Sequence, residues 1–367
     1  MLINNKPYHT IWLKENNCKI IQIIDQRTLP FKVDIVDLKT IDDVFYAIKE
    51  MLVRGAPLIG VTAAYGMYLG LVYSKENLSN NKIIEFAKYL KSARPTAVNL
   101  EYAVNLITRN IISLETDEEK ITTAFELANK LKDKEILASK KIGEYGVKII
   151  EEIYKKNNNK TINILTHCNA GWLACIDYGT ATAPIYKAKE KGIDVHVWVD
   201  ETRPRNQGAK LTAWELEQNN IPHTIISDNT GGLLMQKGMV DLVIVGSDRT
   251  TISGDVANKI GTYLKALAAF DNNIPFYVAL PTSTIDPNIS DGITEIPIEE
   301  RNSDEVKYIE GLHNNKITKV LITPPKSNAL NYGFDITPAK YVTALITEKG
   351  ICNANKNDIQ KILTNNE

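Results

Sequence analysis

The residues of this 367-residue chain best suited to chemistry fall just after short apolar runs. In T-H-C-N-A-G, Cys168 stands at a strand-to-turn transition, where the N-terminus of a following helix would favour a thiolate. His167 beside it resembles a partner base. Consecutive residues of an extended chain point to opposite faces, however, so the two do not form a dyad. Taken alone, Cys168 reads as a buried, inert thiol, and Cys175 keeps that reading. In V-G-S-D-R, Asp248 follows another apolar run. Aspartates so placed commonly cap a turn. A carboxyl in a closed, partly apolar cleft can instead keep its proton near neutral pH and act as a general acid.

A second group of residues suits an anion. R-P-R-N-Q-G-A-K sets Gln207 immediately before Gly208 and a helix through Leu211, Trp214 and Leu216. Exposed N–H groups at a helix start favour phosphate, with an N-capped loop as the plain alternative. G-D-V-A-N-K-I-G-T is expected to open a helix carrying Asn258 and Lys259 in its first turns, an amide beside a cation. A lone lysine there is ordinarily solvated. R-G-A-P sets Arg54 where a helix is expected to end, which the dipole favours in any case, and R-P-T holds Arg94 extended before Pro95. Either arginine alone says little.

Positioning such residues needs a sheet. After the polar run Lys155 to Lys160, apolar segments alternate with helical ones: Ile162–Leu165, Val195–Val199, Thr224–Ile226, Leu242–Val245, Phe276–Leu280 and Val320–Ile322. Continuous apolar strands separated by helices argue for a parallel sheet covered on both faces. Ligands bind outside the carboxyl ends of such strands. Those ends carry His167, Cys168 and Asn169, then Asp200, Glu201 and Arg203, then Asp228, then Asp248 and Arg249.

The earlier part of the chain reads as short strands followed by helices. Thr40 and Asp43 form a capping box ahead of Ile41, Val44, Phe45, Ile48 and Leu52 at helical spacing, and Gly55 and Pro57 punctuate that helix's end. The expected fold class is therefore α/β, with a small β and helical domain over residues 1–150 and a doubly wound parallel sheet over 151–367. Ala56 to Tyr73 carries no charge. Its glycines, Pro57, Thr62 and tyrosines make it a buried helix in preference to a membrane span.

Composition removes several function classes. With 44% hydrophobic residues the chain can bury a sizeable core, and a net charge of −1 gives no field for nucleic acid or an anionic membrane. The four cysteines have no zinc-ligand spacing and fit a reduced, cytoplasmic setting, and the N-terminus does not read as a secretory signal. The dinucleotide G-x-G-x-x-G after a strand, the P-loop and the G-x-S-x-G elbow are missing.

Together, R-G-A-P-L-I-G, R-P-T-A-V-N-L, T-H-C-N-A-G, E-T-R-P, Q-G-A-K-L-T-A-W-E-L, G-D-V-A-N-K-I-G-T-Y, I-P-I-E-E-R and F-D-I-T-P-A resemble the methylthioribose-1-phosphate isomerase family, which is related to the regulatory subunits of eukaryotic translation initiation factor two-B. The resemblance runs in order from about Arg54 to Gly350. It implies a Rossmann-like C-terminal domain, a homodimer acting on a small sugar phosphate, and no metal or nucleotide cofactor. It places the catalytic pair on Cys168 and Asp248, and substrate binding on Arg54, Gly55, Ala56, Arg94, Gln207, Asn258 and Lys259.

Departures from the family pattern are Trp172, Arg205-Asn206, Ser247 and Tyr332-Gly333. They leave the chemistry intact and bear on the identity of the sugar. The implied reaction converts 5-methylthioribose 1-phosphate to 5-methylthioribulose 1-phosphate in methionine salvage, with 5-deoxyribose 1-phosphate as a second substrate. The alternatives are a ribose 1,5-bisphosphate isomerase and a non-catalytic regulatory subunit.

Overall fold

The computed structural model of the chain describes residues 1–74, 78–95 and 97–364, so Thr96 of the R-P-T run lies outside the described residues. Two compact units emerge. A helical unit holds Tyr8–Leu137 with Trp172–Asp177, and a sheet unit holds Met1–Pro7, Ala138–Gly171 and Tyr178–Glu367. The sheet unit includes a short antiparallel pair at the chain start, β1 (Leu2–Ile3) and β2 (Lys6–Pro7).

The helical unit begins with an antiparallel sheet of β3 (Ile11–Lys14), β4 (Asn17–Ile24) and β5 (Ile35–Leu38), β4 in the middle. Ile21 and Ile23, two apart on β4, are fully buried, so one face meets the core. The capping box forms at α1 (Ile41–Lys49): the Thr40 hydroxyl accepts from the Asp43 N–H, and the Asp43 carboxylate accepts from the Thr40 N–H.

That helix ends at Lys49, ahead of Gly55 and Pro57, which open α2 (Ala56–Val72) where they were expected to close α1. Gly55 takes φ 92 at the cap, and Pro57 sits in the first turn, where a missing N–H costs no helical hydrogen bond. The uncharged stretch is a buried helix as expected. No helix among the described residues is long and apolar enough to cross a membrane. Side chains such as Leu58, Ile59 and Met67 are buried, each worth roughly 1.5–3 kcal/mol. Gly60 meets the N-terminus of α4, since a Cβ there would lie 3.0 Å from the Asn99 carbonyl oxygen. The unit is completed by α3 (Asn80–Ser92), α4 (Val98–Ile111) and the first half of α5 (Asp117–Lys156), which continues into the sheet unit from Ala138.

The sheet unit then runs β6 (Ile162–Thr166), and the chain passes through the one-turn α6 (Trp172–Cys175) of the helical unit. It returns as α7 (Ala183–Glu190), β7 (Val195–Asp200), a π-helical turn over Gly208–Thr212 leading into α8 (Ala213–Gln218), β8 (His223–Ile226), α9 (Thr230–Gln236) and β9 (Leu242–Val245). Next come β10 (Arg249–Thr251), β11 (Val256–Lys259), α10 (Thr262–Asp271), β12 (Phe276–Ala279), β13 (Ile285–Asp286), α11 (Gly292–Glu295) and α12 (Asp304–Lys307). The last elements are β14 (Tyr308–His313), β15 (Lys316–Leu321), β16 (Phe334–Thr337), β17 (Ala344–Thr347), β18 (Gly350–Cys352) and α13 (Lys356–Thr364).

The main sheet is β18-β17-β12-β9-β6-β7-β8, and only the β17–β18 pair is antiparallel. Counted along the chain, its six parallel strands stand in the order 3-2-1-4-5-6, the doubly wound arrangement the strand runs implied. The order reverses between β6 and β9, which makes that pair the topological switch point. A second sheet, β13-β10-β11-β16, carries the chain just beyond β9.

One expected strand is elsewhere. Val320–Ile322 was read as part of the parallel sheet, but Lys316–Leu321 pairs with β14 in a separate hairpin. Asn314 and Asn315 both take left-handed φ (47 and 59), which suits a two-residue turn and returns the chain on itself. The sixth parallel strand is β17, absent from the sequence reading.

Candidate active site

Cys168 lies two residues past the end of β6 and is buried, with φ 68. Its backbone is held from both sides: its N–H donates to Thr202 Oγ1 at 2.8 Å, and its carbonyl accepts from the Thr212 hydroxyl at 2.7 Å. Its thiol faces Gln207 Oε1 at 3.5 Å. Gln207 is buried at the entry to the π-helical turn. That turn fits because Gly208 has no side chain; a Cβ there would fall 1.8 Å from the Asp200 carbonyl oxygen. The helix expected after Cys168 reduces to the single turn of α6. Asn169, also buried, donates to Thr212 Oγ1 and to Glu215 Oε1, extending the same polar layer.

His167 does not serve Cys168. Its Nε2 donates to the Ile260 carbonyl at 2.8 Å, and its Nδ1 meets Asp200 Oδ2 at 2.8 Å. The carbonyl can only accept, so Nε2 carries a hydrogen. Burial drives the Asp200 carboxyl above the ordinary carboxylate range, against the pull of His167 and Lys265. His167, Asp200 and Asp228 bring their ligand atoms within 4.8 Å of one another, the one such group among the described residues. It is poorly suited to a metal ion. Lys265 Nζ already stands 3.1 Å from Asp200 Oδ2, and both Asp228 oxygens accept backbone N–H groups, from Thr202 and Arg203.

Asp248 is half-buried in the turn between β9 and β10, and its N–H donates to the Ala257 carbonyl, which brings it beside Asn258. Asn258 and Lys259 lie on strand β11, not in the first turns of a helix. The V-A-N-K run pairs with β16, Asn258 opposite Asp335 and Lys259 opposite Phe334, and this long-range pairing overrides the local helix signal. The helix begins at Thr262, after Gly261 at φ 103. Asn258 is buried and donates to Thr262 Oγ1, while Lys259 Nζ lies over the Phe334 ring. The His167–Ile260 bond thus ties the Cys168 turn to the Lys259 segment. Cys168, Gln207, Asp248, Asn258 and Lys259 all stand around the ends of β6 and β9.

The remaining residues belong to the helical unit. Arg54 is buried directly before α2, and Gly55 and Ala56 form the cap and first residue of that helix, so Arg54 precedes a helix N-terminus and does not follow a C-terminus. The start of a 17-residue helix directs free N–H groups outward, the favourable end for a phosphate. Arg94 follows α3 and borders a cleft of about 270 Å³ with Lys91, Ser92 and Pro95. Because Asn99 meets Gly60, one turn in from Ala56, the two arginine segments approach the same end of α2.

Asp228 was placed at a strand end by the sequence, and Thr202 and Thr212 fell within E-T-R-P and Q-G-A-K-L-T-A-W-E-L, but none of them, nor Lys265, was given a role; the structure shows each hydrogen-bonded or ion-paired around Cys168 and His167. Arg205 pairs with Glu305 at 2.7 Å, and Glu305 also binds Arg301. Burial pulls the Glu305 carboxyl up, yet Arg301 and Arg205 override it and hold it at about 2.

Over residues 52–354 the chain matches the Initiation factor 2 subunit family. It is 54% identical to a methylthioribose-1-phosphate isomerase of Desulfatibacillum aliphaticivorans, across 99% of this chain and 98% of that protein. Among solved structures, 5-methylthioribose 1-phosphate isomerase from Pyrococcus horikoshii OT3 superposes with TM-score 0.83 at 36% identity, covering 98% of this chain and 96% of that one. The translation initiation factor eIF-2B subunit delta from A. fulgidus gives 0.80 at 35%, covering 98% and 100%.

Proposed function

Since the chain belongs to the Initiation factor 2 subunit family, we propose that it works as the methylthioribose-1-phosphate isomerases of that family do, converting 5-methylthioribose 1-phosphate to 5-methylthioribulose 1-phosphate, a step of methionine salvage. The observation that carries this reading is the position of Cys168 and Asp248 just beyond β6 and β9, the neighbouring strands at the switch point of the sheet.

A sugar 1-phosphate has its anomeric oxygen blocked, so the enzyme must open the ring before the carbonyl can move. Asp248 protonates the ring oxygen as the C1–O bond breaks. A hydrogen then passes from C2 to C1, the C2 hydroxyl gives up its proton, and C2 becomes the ketone. The released proton restores the acid, so the reaction is neutral overall. Cys168 stands by the C1–C2 shift, as base or as stabiliser of the moving hydrogen. Gln207, Asn258 and Lys259 in the sheet unit bind the substrate. Arg54, Gly55, Ala56 and Arg94 in the helical unit take the same role on the strength of their family motifs. Charge-assisted hydrogen bonds to phosphate fix the reacting carbons.

Two finer points extend the reading. An apolar site separates sugars differing by one small group by only ~10–200-fold, so 5-deoxyribose 1-phosphate is turned over as well. We also read the enzyme as a cytoplasmic homodimer. The rival is a non-catalytic subunit, favoured by the likeness to the eIF-2B delta structure. Incubating purified protein with 5-methylthioribose 1-phosphate, 5-deoxyribose 1-phosphate and ribose 1,5-bisphosphate, with ketose followed by NMR, decides between them. Conversion of the first two is expected; no ketose from any would favour the rival. In D2O, deuterium at C1 of the product marks the base route, and its absence marks a direct shift.

A further inference from the structure

Two residues in the sheet unit hold left-handed backbone conformations and are hydrogen-bonded to each other: Cys168 at φ 68 and Thr202 at φ 64. For a β-branched residue such as threonine this region is a genuine outlier, kept only where surroundings over-determine it. Here they do. Both Asp228 oxygens accept the N–H groups of Thr202 and Arg203, at 2.7 and 2.8 Å, which fixes the turn after β7. The Thr202 side chain is fully buried, and its hydroxyl hydrogen goes to the Asp200 carbonyl at 3.0 Å. That leaves its oxygen lone pair for the Cys168 N–H at 2.8 Å.

We propose that Thr202 is a positioning residue for the isomerisation: its hydroxyl, aimed by the Asp228 clamp, sets the backbone of Cys168 and thereby the place of the thiol relative to the reacting carbons. This rests on the catalytic reading of Cys168. Geometry argues against a purely structural role. A turn after a parallel strand needs no left-handed threonine, since glycine takes that conformation without steric strain. What the strained residue adds is one oxygen that accepts from Cys168 while donating to Asp200.

The test compares Thr202→Val, Thr202→Gly and Thr202→Ser, with Cys168→Ala in parallel, by steady-state ketose formation from 5-methylthioribose 1-phosphate. Valine keeps the shape and loses the oxygen; glycine relieves the backbone and loses the oxygen, so it reports even where valine impairs folding. We expect both to lower kcat by roughly 10–100-fold, the scale of a small misplacement of a reacting group, with KM little changed, and serine to recover most of the turnover. Wild-type kcat in the folded valine or glycine variant, a serine variant as impaired as valine, or a loss confined to KM would each overturn the proposal. Full activity in Cys168→Ala would remove the catalytic role of Cys168, and this inference with it; inactive Cys168→Ala beside active Thr202→Gly would sink this inference alone.

Discussion

The segment from Thr202 to Thr212 has an inner and an outer side, and they are built from opposite chemistry. Inward, Thr202, Gln207 and Thr212 are buried neutral groups that hold Cys168. Outward, Arg203 donates to the Val306 carbonyl, Arg205 pairs with Glu305, and Lys210 pairs with Glu310, whose side chain is 49% exposed. A buried polar group left without its partner costs about 1–3 kcal/mol, whereas an exposed ion pair is worth about 0–1 kcal/mol. The inner bonds therefore fix geometry, while the outer contacts, exposed at Lys210–Glu310 and part-buried at Arg205–Glu305, fasten the segment to its surroundings. Substitutions on the two sides should differ accordingly.

Within this segment, the largest effect should come from Gly208→Ala. The new methyl would meet the Asp200 carbonyl oxygen, so the π-helical turn and Gln207 must shift. We expect kcat to fall by ~100-fold, with a lower Tm, in paired activity and thermal scans. Unchanged kcat would mean the inner side tolerates displacement.

Next come the residues proposed to bind the anion. Lys259→Ala or Arg94→Ala should weaken binding of phosphorylated ligands by about 10–100-fold, the worth of a hydrogen bond to a charged group, and leave dephosphorylated analogues nearly unaffected in calorimetry. Equal losses for both ligands would show that these residues shape the protein without holding phosphate.

On the outer side, the cluster around Glu305 has a definite pH signature. Its folded value is depressed to about 2, so its contribution to stability is complete above the ordinary glutamate range of about 4.3 and is lost as pH falls through about 2. The stability gap between wild type and Glu305→Gln, from denaturant unfolding at a series of pH values, should narrow over that interval. A gap constant down to pH 2 would contradict the ion-pair account.

The smallest effect is expected at Arg205. As a departure from the family pattern it is a candidate cation for a second phosphate, but its charge is engaged by Glu305. A second phosphate buried on the sugar without a cation of its own would be an unpaired charge. Arg205→Leu should change the specificity constant for ribose 1,5-bisphosphate by less than about fivefold. A strong bisphosphate preference abolished by this substitution would overturn the substrate assignment.

What was legible in the sequence follows the range of the forces involved. β6, β7 and β9 were read within a residue because runs such as L-V-I-V are buried on both faces and need no distant information. The Thr40–Asp43 capping box is local too, and it formed as expected. Asn258 and Lys259 were misplaced on a helix because their strand exists through pairing with β16, nearly eighty residues on. Val320 was misplaced because a hairpin strand with an exposed face resembles a buried one over three residues. Cys168 and Asp248 were singled out by motif, and they stand just beyond β6 and β9. Asp228 at a strand end and Thr202 in E-T-R-P were visible, but the backbone hydrogen bonds by which we propose they position Cys168 leave no pattern in composition or spacing.

The most direct test of the central claim, that chemistry resides at the ends of β6 and β9, is turnover of 5-methylthioribose 1-phosphate by Cys168→Ala and Asp248→Asn, measured alongside their affinity for it. The account predicts a fall in turnover of ~10²–10⁴-fold or more in each, with affinity nearly intact. Near wild-type turnover in either variant, or a loss explained wholly by weaker binding, would contradict it.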